Sequence, residues 1–257
     1  METVIVCIAA LLASTLTLFS GFGLGTLLMP VIAIFIPVEL AIATTALVHL
    51  ANNLFKIGLV GRHAEKTVLL KFGLPAIALA FIGAALLTSL NDIKPIYEYE
   101  ALGREFLISP IKLVIGLIII SMVALESALF SHTTAMDQKW LPIGGAMSGF
   151  FGGLSGHQGA FRSMFLINAG LTKEAFVATS VVLAVMVDIS RLVIYGGDIL
   201  KNSSVVEWPL VVSASISAFV GAFIGAKLLK KVRLRSVQLV VSVLLVAVAA
   251  GLIFGAL

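Results

Sequence analysis

Apolar stretches about as long as a bilayer is thick recur along this chain, at about 3–36, 38–60, 68–90, 108–130, 141–169, 172–195, 205–229 and 236–257. Each can span hydrocarbon as an α-helix, which takes about 20 residues. A stretch such as Leu113–Met122 is apolar but for Ser121, whereas a strand of a membrane barrel alternates apolar and polar residues over about ten positions. The pattern therefore predicts an all-α, polytopic membrane helix bundle. Eight spans consume roughly 160 positions, which leaves no room for a sizeable water-soluble domain. Composition agrees: 12% of residues are charged and 60% hydrophobic, against about 25% charged in an average soluble domain.

The net charge of +4 is too small to suggest a nucleic-acid partner, because Lys and Arg of membrane proteins collect in cytoplasmic loops in any case. Cys7 is the only cysteine, so neither a disulfide nor a cysteine-rich metal site can form. No cofactor or metal is expected. Met1-Glu2-Thr3 lacks the basic region of a secretory signal and the apolar run beyond it is too long for one, so it reads as a retained membrane segment. Polar connections are expected at 91–107, which carries Asp92, Lys94, Glu98, Glu100, Arg104 and Glu105, and at 131–140.

Two stretches are long and interrupted by glycines, at Ser20-Gly21-Phe22-Gly23-Leu24-Gly25 and at Gly152-Gly153-Leu154-Ser155-Gly156-His157-Gln158-Gly159. Each predicts a broken helix. Sliding the chain by 134 residues superposes Gly25 on Gly159, Ala41 on Ala175, Thr45 on Thr179, Val48 on Val182 and Pro75 on Pro209. The order of glycine break, apolar helix, Thr-containing helix, loop and Pro-started helix recurs in both halves, as in a duplicated transporter unit. The expected units are 1–130 and 131–257, forming one membrane domain.

Charge placement bears on how they are oriented. If each broken stretch turns back at its glycines, Arg62, Lys66, Lys71, Lys139, Lys173, Lys227, Lys230, Lys231, Arg233 and Arg235 fall on one side. The tally is then ten inside to five outside, leaving out Lys56 and Arg162 as residues within spans, which satisfies the positive-inside rule better than eight simple crossings do. Each half then has an odd number of segments, so the repeats are expected to be inverted.

Polar side chains inside the spans carry the functional reading, since an ionisable one costs about 2.5–3.5 kcal/mol on insertion scales. Thr45, His49, Asn52, Asn53 and Lys56 share one stripe of a helix over three turns and must face the bundle or a cavity. Interhelical hydrogen bonding is the alternative reading. The corresponding helix carries Thr179, Ser180, Asp188 and Arg191. Asp188 and Arg191, three apart, can pair within their helix; alternatively Asp188 is a proton or cation site and Arg191 an anion contact. His49 and His157 can titrate near neutral pH.

A helix that starts inside the membrane points unpaired N–H groups and its positive dipole end at the midplane, which suits an anion. The second break is followed by Arg162 and flanked by His157, Gln158 and Ser163, and a guanidinium there can grip two oxygens of an oxyanion. Small residues at a break can also serve tight packing alone. Gly153-Leu154-Ser155-Gly156 matches the G-x-S-G stretch of rhomboid-type intramembrane proteases. Those take their base from a later span, yet the only histidine after Ser155 is His157, and no H-E-x-x-H motif is present. An enzyme is not expected.

Gly21-Phe22-Gly23-Leu24-Gly25-Thr26-Leu27-Leu28-Met29-Pro30 and Ala41-Ile42-Ala43-Thr44-Thr45-Ala46 resemble motifs of the sulfite exporter TauE/SafE family, and the resemblance extends over essentially the whole chain. It implies a multi-pass transporter of small anions such as sulfite and sulfonates, built from two repeats. Gly21, Gly23, Gly25 and Pro30 match the first motif, and Gly156 and Gly159 the second. The second copy departs from the pattern: Met164 stands where a proline would echo Pro30, and His157, Gln158 and Arg162 replace small or apolar residues. The last three departures add polarity or positive charge.

The expectation is a cell-membrane transporter moving a small anion by alternating access with proton coupling. Arg162, His157, Gln158 and the backbone at Gly23, Gly25, Thr26, Gly156 and Gly159 would bind it. Thr45, Asn52, Asn53, Thr179 and Ser180 would line its path, and Asp188, Arg191, His49 and Lys56 would couple or gate. An anion channel or a carboxylate carrier is the alternative. Partners are the anion and lipid, and a homo-oligomer is left open.

Overall fold

The long apolar stretches are largely helical in the computed structural model, with Ala33–Pro37 a turn between helices; the structure describes residues 1–20, 24–91, 93–101, 103–129, 138–167, 169–201, 206–228 and 234–256. Ten α-helices are present among these: α1 (Glu2–Ser20), α2 (Leu24–Ile32), α3 (Val38–Val60), α4 (Lys66–Asn91), α5 (Pro110–Leu129), α6 (Leu141–Ser155), α7 (Gly159–Leu166), α8 (Lys173–Lys201), α9 (Trp208–Leu228) and α10 (Leu234–Ile253). In hydrocarbon a backbone must satisfy its own polar groups, and a helix does so within one segment. Among the described residues, four helical stretches are long and apolar enough to cross a membrane: Val38–His63, Lys66–Leu90, Lys173–Gly196 and Trp208–Gly225. Their outward faces are apolar too. Leu70, Leu74, Ile82 and Leu86 of α4 and Val212, Ile216, Val220 and Phe223 of α9 are exposed, where a helix facing water would carry charge.

Two expectations need correction. The polar connection 91–107 is not all loop, because β1 (Tyr97–Ala101) and β2 (Arg104–Ile108) pair antiparallel, Tyr99 opposite Phe106 and Glu100 opposite Glu105. Residues alternate between faces of a strand, so Tyr97, Tyr99 and Phe106 collect on one side and stack. Gly103, at φ +71°, makes the turn, and the Tyr99 hydroxyl donates to the Phe254 carbonyl at 2.7 Å. The charges masked this period of two. The second correction concerns the Pro-started helices: Pro209 does open α9, but Pro75 lies well inside α4, which begins at Lys66.

Small residues set the helix pairing. A side chain at Gly145, Gly149 or Gly153 of α6 would collide with the carbonyls of Phe72, Ala76 or Ala80 of α4, so these two backbones touch along parallel helices. Gly221 and Gly225 of α9 stand in the same relation to Leu11 and Thr15 of α1. Helix α4 also runs parallel to α8, since the Glu65 amide donates to Thr179 Oγ1 at 2.9 Å and Gly73 abuts Leu183 and Met186. Helix α3 packs on α8, α5 on α10, and α2 and α7 lie against α1 and α6 respectively. Exchanging α1–α5 with α6–α10 maps α3–α8 and α5–α10 onto themselves, and turns α4–α6 into α1–α9, α1–α2 into α6–α7 and α4–α8 into α3–α9, which also pack together.

The α6–α7 unit is a helical hairpin. Ser148 Oγ donates to the Gln158 carbonyl at 2.9 Å, Gly144 sits against the Phe165 ring, and Gln138 Nε2 donates to the Ala169 carbonyl at 2.9 Å, so both ends of the unit emerge together. It inserts from the end of the bundle where α4 begins. Helix α1 runs with α9, which returns from the far end of α8, so the α1–α2 unit inserts from the opposite end.

Candidate functional site

Gly25, from the first glycine cluster, meets Gly156 of the second inside the bundle. Gly156, at φ +81°, closes α6 in a left-handed conformation that glycine adopts without steric cost. Its carbonyl lies 3.5 Å from where a Cβ on Gly25 would stand, and the Thr45 methyl and His49 ring lie 3.7 and 3.9 Å from the same point. A Cβ on Gly156 would stand 2.9 Å from Arg191 Nη1. The first turn of α2 and the end of α6 thus lie against one another beside α3 and α8.

Asp188 organises the charges there and is fully buried. Its Oδ2 lies 2.6 Å from His49 Nδ1, so that nitrogen carries the proton between them. Oδ1 accepts from Arg191 Nε at 3.1 Å, from Arg191 Nη2 at 2.8 Å and from Gln158 Nε2 at 3.1 Å. Because Asp188 takes the amide NH₂ of Gln158, the amide oxygen must point away, and it accepts from Arg162 Nη1 at 3.2 Å. Gln158 therefore links the carboxylate to the second guanidinium. Asn53 packs its amide on His49, donating to that residue's carbonyl at 2.9 Å. Tyr195, a turn beyond Arg191, donates to the Gly153 carbonyl and holds the tip of α6.

This network leaves donors over. Among the described residues, Thr45 Oγ1, Arg162 Nε and Arg191 Nη1 are buried here without a hydrogen-bond partner, as is the ring nitrogen His157 Nε2; Ser180 Oγ, further along α8, is another such atom. A buried polar group left unpaired costs about 1–3 kcal/mol, so several at one junction signal an absent partner. The first three amides of α7, those of Gly159, Ala160 and Phe161, have no acceptor in its ladder, which begins with Arg162 N–H to the Gln158 carbonyl at 3.1 Å. Charge points the same way. Lys56, Arg162 and Arg191 are buried cations, and Asp188 is the one buried carboxylate among the described residues. With neutral histidines Arg162 and Arg191 against Asp188 leave the junction a net charge of about +1, and Lys56 adds a second buried charge further along α3, both costly in a low-dielectric interior.

Not every residue singled out in the sequence joins this junction. Gly25, Thr45, His49, Asn53, Gly156, His157, Gln158, Gly159, Arg162, Asp188 and Arg191 are brought together, and Thr26 is buried in the first turn of α2. Gly21 and Gly23 lie outside the described residues. Thr179 stands nine residues from Asp188, about 14 Å along α8, with its hydroxyl taken by the Glu65 amide. Ser180 is beside it. Asn52 and Lys56 face α1 and α9: Ser14 Oγ is 3.2 Å from the Asn52 amide, which, oriented to satisfy both ends, donates to the Ala218 carbonyl at 3.2 Å and accepts from Lys56 Nζ at 3.1 Å.

The sequence reading overlooked Ser14, Ser148 and Tyr195. The serines were detectable, since the 134-residue slide superposes one on the other, and each ties a broken unit in place. His157 also reaches Ser155: Nδ1 is 3.0 Å from the Ser155 carbonyl and 3.1 Å from its hydroxyl. This is closer than the sequence order suggested, yet it is not a nucleophile and base. The Ser155 hydroxyl donates to the Phe151 carbonyl at 3.0 Å. Facing a carbonyl, Nδ1 carries a proton, which puts the lone pair on Nε2, away from Ser155.

Comparison with known protein families gives a match over residues 6–252 to the family described as Sulfite exporter TauE/SafE. No curated protein matches the chain.

Proposed function

We propose that this chain, which belongs to the sulfite exporter TauE/SafE family, carries a small oxyanion, sulfite or a sulfonate, across a cell membrane by alternating access. The observation that carries the reading is the buried positive cluster with unpaired donors where the two breaks meet. Family membership makes the chain a membrane transporter; the cluster supports an anion as its cargo.

Arg162 would grip the anion through its unpaired Nε side, with the first amides of α7 completing the shell, because a guanidinium fork matches two oxygens at once. Arg191 Nη1 and Thr45 Oγ1 would add single bonds. Asp188 would hold Arg191 in place and, through Gln158, orient Arg162. A trigonal or tetrahedral oxyanion suits donors converging from several directions better than a planar carboxylate does.

His157 supplies a rationale for proton coupling. With Nδ1 turned to the Ser155 carbonyl, Nε2 presents a lone pair that repels an anion, and a proton on Nε2 converts it into a donor. Anion and proton would then enter together. Matching helix pairings in 1–130 and 131–257 support inverted repeats rocking about the shared site.

The test is counterflow of labelled sulfite in proteoliposomes. Arg162→Met is expected to lower uptake about 100-fold, in line with misplacing or losing an orienting group, and Arg162→Lys to recover only part, since an ammonium cannot form the fork. Unchanged uptake in Arg162→Met would overturn the assignment of this residue.

A further inference from the structure

Lys56 stands apart from the junction. It lies seven residues beyond His49, about 10 Å along α3, on the side of the stripe that faces α1 and α9. It is 4% exposed. Among the described residues no carboxylate lies within ion-pair distance of it, and its one hydrogen bond is to the Asn52 amide oxygen at 3.1 Å. The charge that bears on it is that of Arg162, of the same sign. An ammonium has three donors, so two are unmet.

The surroundings are built rather than incidental. Asn52 is fully buried and held from two sides, by Ser14 of α1 and the Ala218 carbonyl of α9, which fixes its oxygen toward Lys56. Thr17, one turn from Ser14 on α1, is 8% exposed and its hydroxyl has no partner. A lysine serving only to bind helices together would find a carboxylate or a set of carbonyls. This one is positioned and left uncompensated.

We propose that Lys56, with Asn52, Ser14 and Thr17, forms a second anion station in the half of the bundle toward Lys66, occupied at the same time as the junction. The inference rests on the anion reading above and deepens it. Three buried cations against Asp188 leave an excess of positive charge in two places, at the Arg162–Arg191 junction and at Lys56. A single anion at the junction would leave Lys56 unpaired about two turns away. Two anions repelling one another over that distance would ease release from the outer station, as adjacent ions do in multi-site pathways.

The experiment is equilibrium binding of [35S]sulfite to the purified full chain in nanodiscs, read as moles bound per mole of chain. The expected values are two for the unaltered protein, one for Lys56→Met and two for Lys56→Arg. One sulfite on the unaltered protein overturns the second station, whatever the stability of the variants. Two sulfites retained by Lys56→Met overturns it as well. Arg162→Met is expected to retain one. If it retains both while Lys56→Met loses one, the station stands and the clamp at Arg162 falls. If the unaltered protein binds none, the anion reading and the station fall together.

Discussion

Gly156→Ala probes whether the junction, and not backbone order in general, sets transport. The substitution has two separable effects. A φ of +81° is left-handed, which costs a residue with a Cβ about 1–2 kcal/mol. The new methyl would also stand 2.9 Å from Arg191 Nη1, about half an ångström inside ordinary contact. Arg191 cannot yield freely, because Nε and Nη2 are tied to Asp188 at 3.1 and 2.8 Å. The guanidinium must therefore shift by about that half ångström, stretching both bonds. Gly170 is an internal control: its φ is +75°, yet no atom lies within 4 Å of where its Cβ would stand. Gly170→Ala should lose the same 1–2 kcal/mol or so of stability with uptake unchanged within about twofold. Gly156→Ala should lose that stability and about 10–100-fold of sulfite uptake, the scale on which small misplacements of an orienting group act. Thermal unfolding and counterflow measured on both proteins check this. Equal uptake by the two variants would refute the reasoning, since backbone strain would then be the only consequence.

Three further outcomes follow from the geometry. Asp188→Asn removes the one carboxylate facing His49, Arg191 and Gln158 and is expected to destabilise the protein by about 3–5 kcal/mol, seen as a lowered unfolding midpoint that added sulfite partly restores. Gly153→Ala drives a methyl into the Ala80 carbonyl and should cost about 1–3 kcal/mol through separation of α4 and α6, measured by the same melt. His157→Gln retains a polar side chain that cannot take up a proton at Nε2; sulfite uptake should persist but lose its response to an imposed proton gradient, and a retained response would assign the coupling elsewhere.

Much of the architecture was legible because lipid imposes a single rule on the chain. Uninterrupted apolar length means helix, and glycine clusters at Gly21–Gly25 and Gly152–Gly159 mark where a helix stops. The candidate residues were legible for the same reason, since polar groups such as His49, Asn53, Asp188 and Arg191 stand out against apolar neighbours. The hairpin at 97–108 was not, because exposed charges on one face hid the alternation of Tyr97, Tyr99 and Phe106 on the other.

Which candidates act together depends on three-dimensional proximity. By itself the sequence determined that the chain is helical, membrane-embedded, twice broken and lined by one polar stripe in each half. Only the tertiary structure decided that Asp188 reaches across to His49 and Gln158, that Thr179 is taken by the Glu65 amide, and that Lys56 lies unpaired beside Asn52. The physical reason is that helical period reports which side of its own helix a residue occupies, whereas its partner is set by how helices cross. That crossing depends on backbone contacts at Gly145, Gly149, Gly153, Gly221 and Gly225, made between residues far apart along the chain.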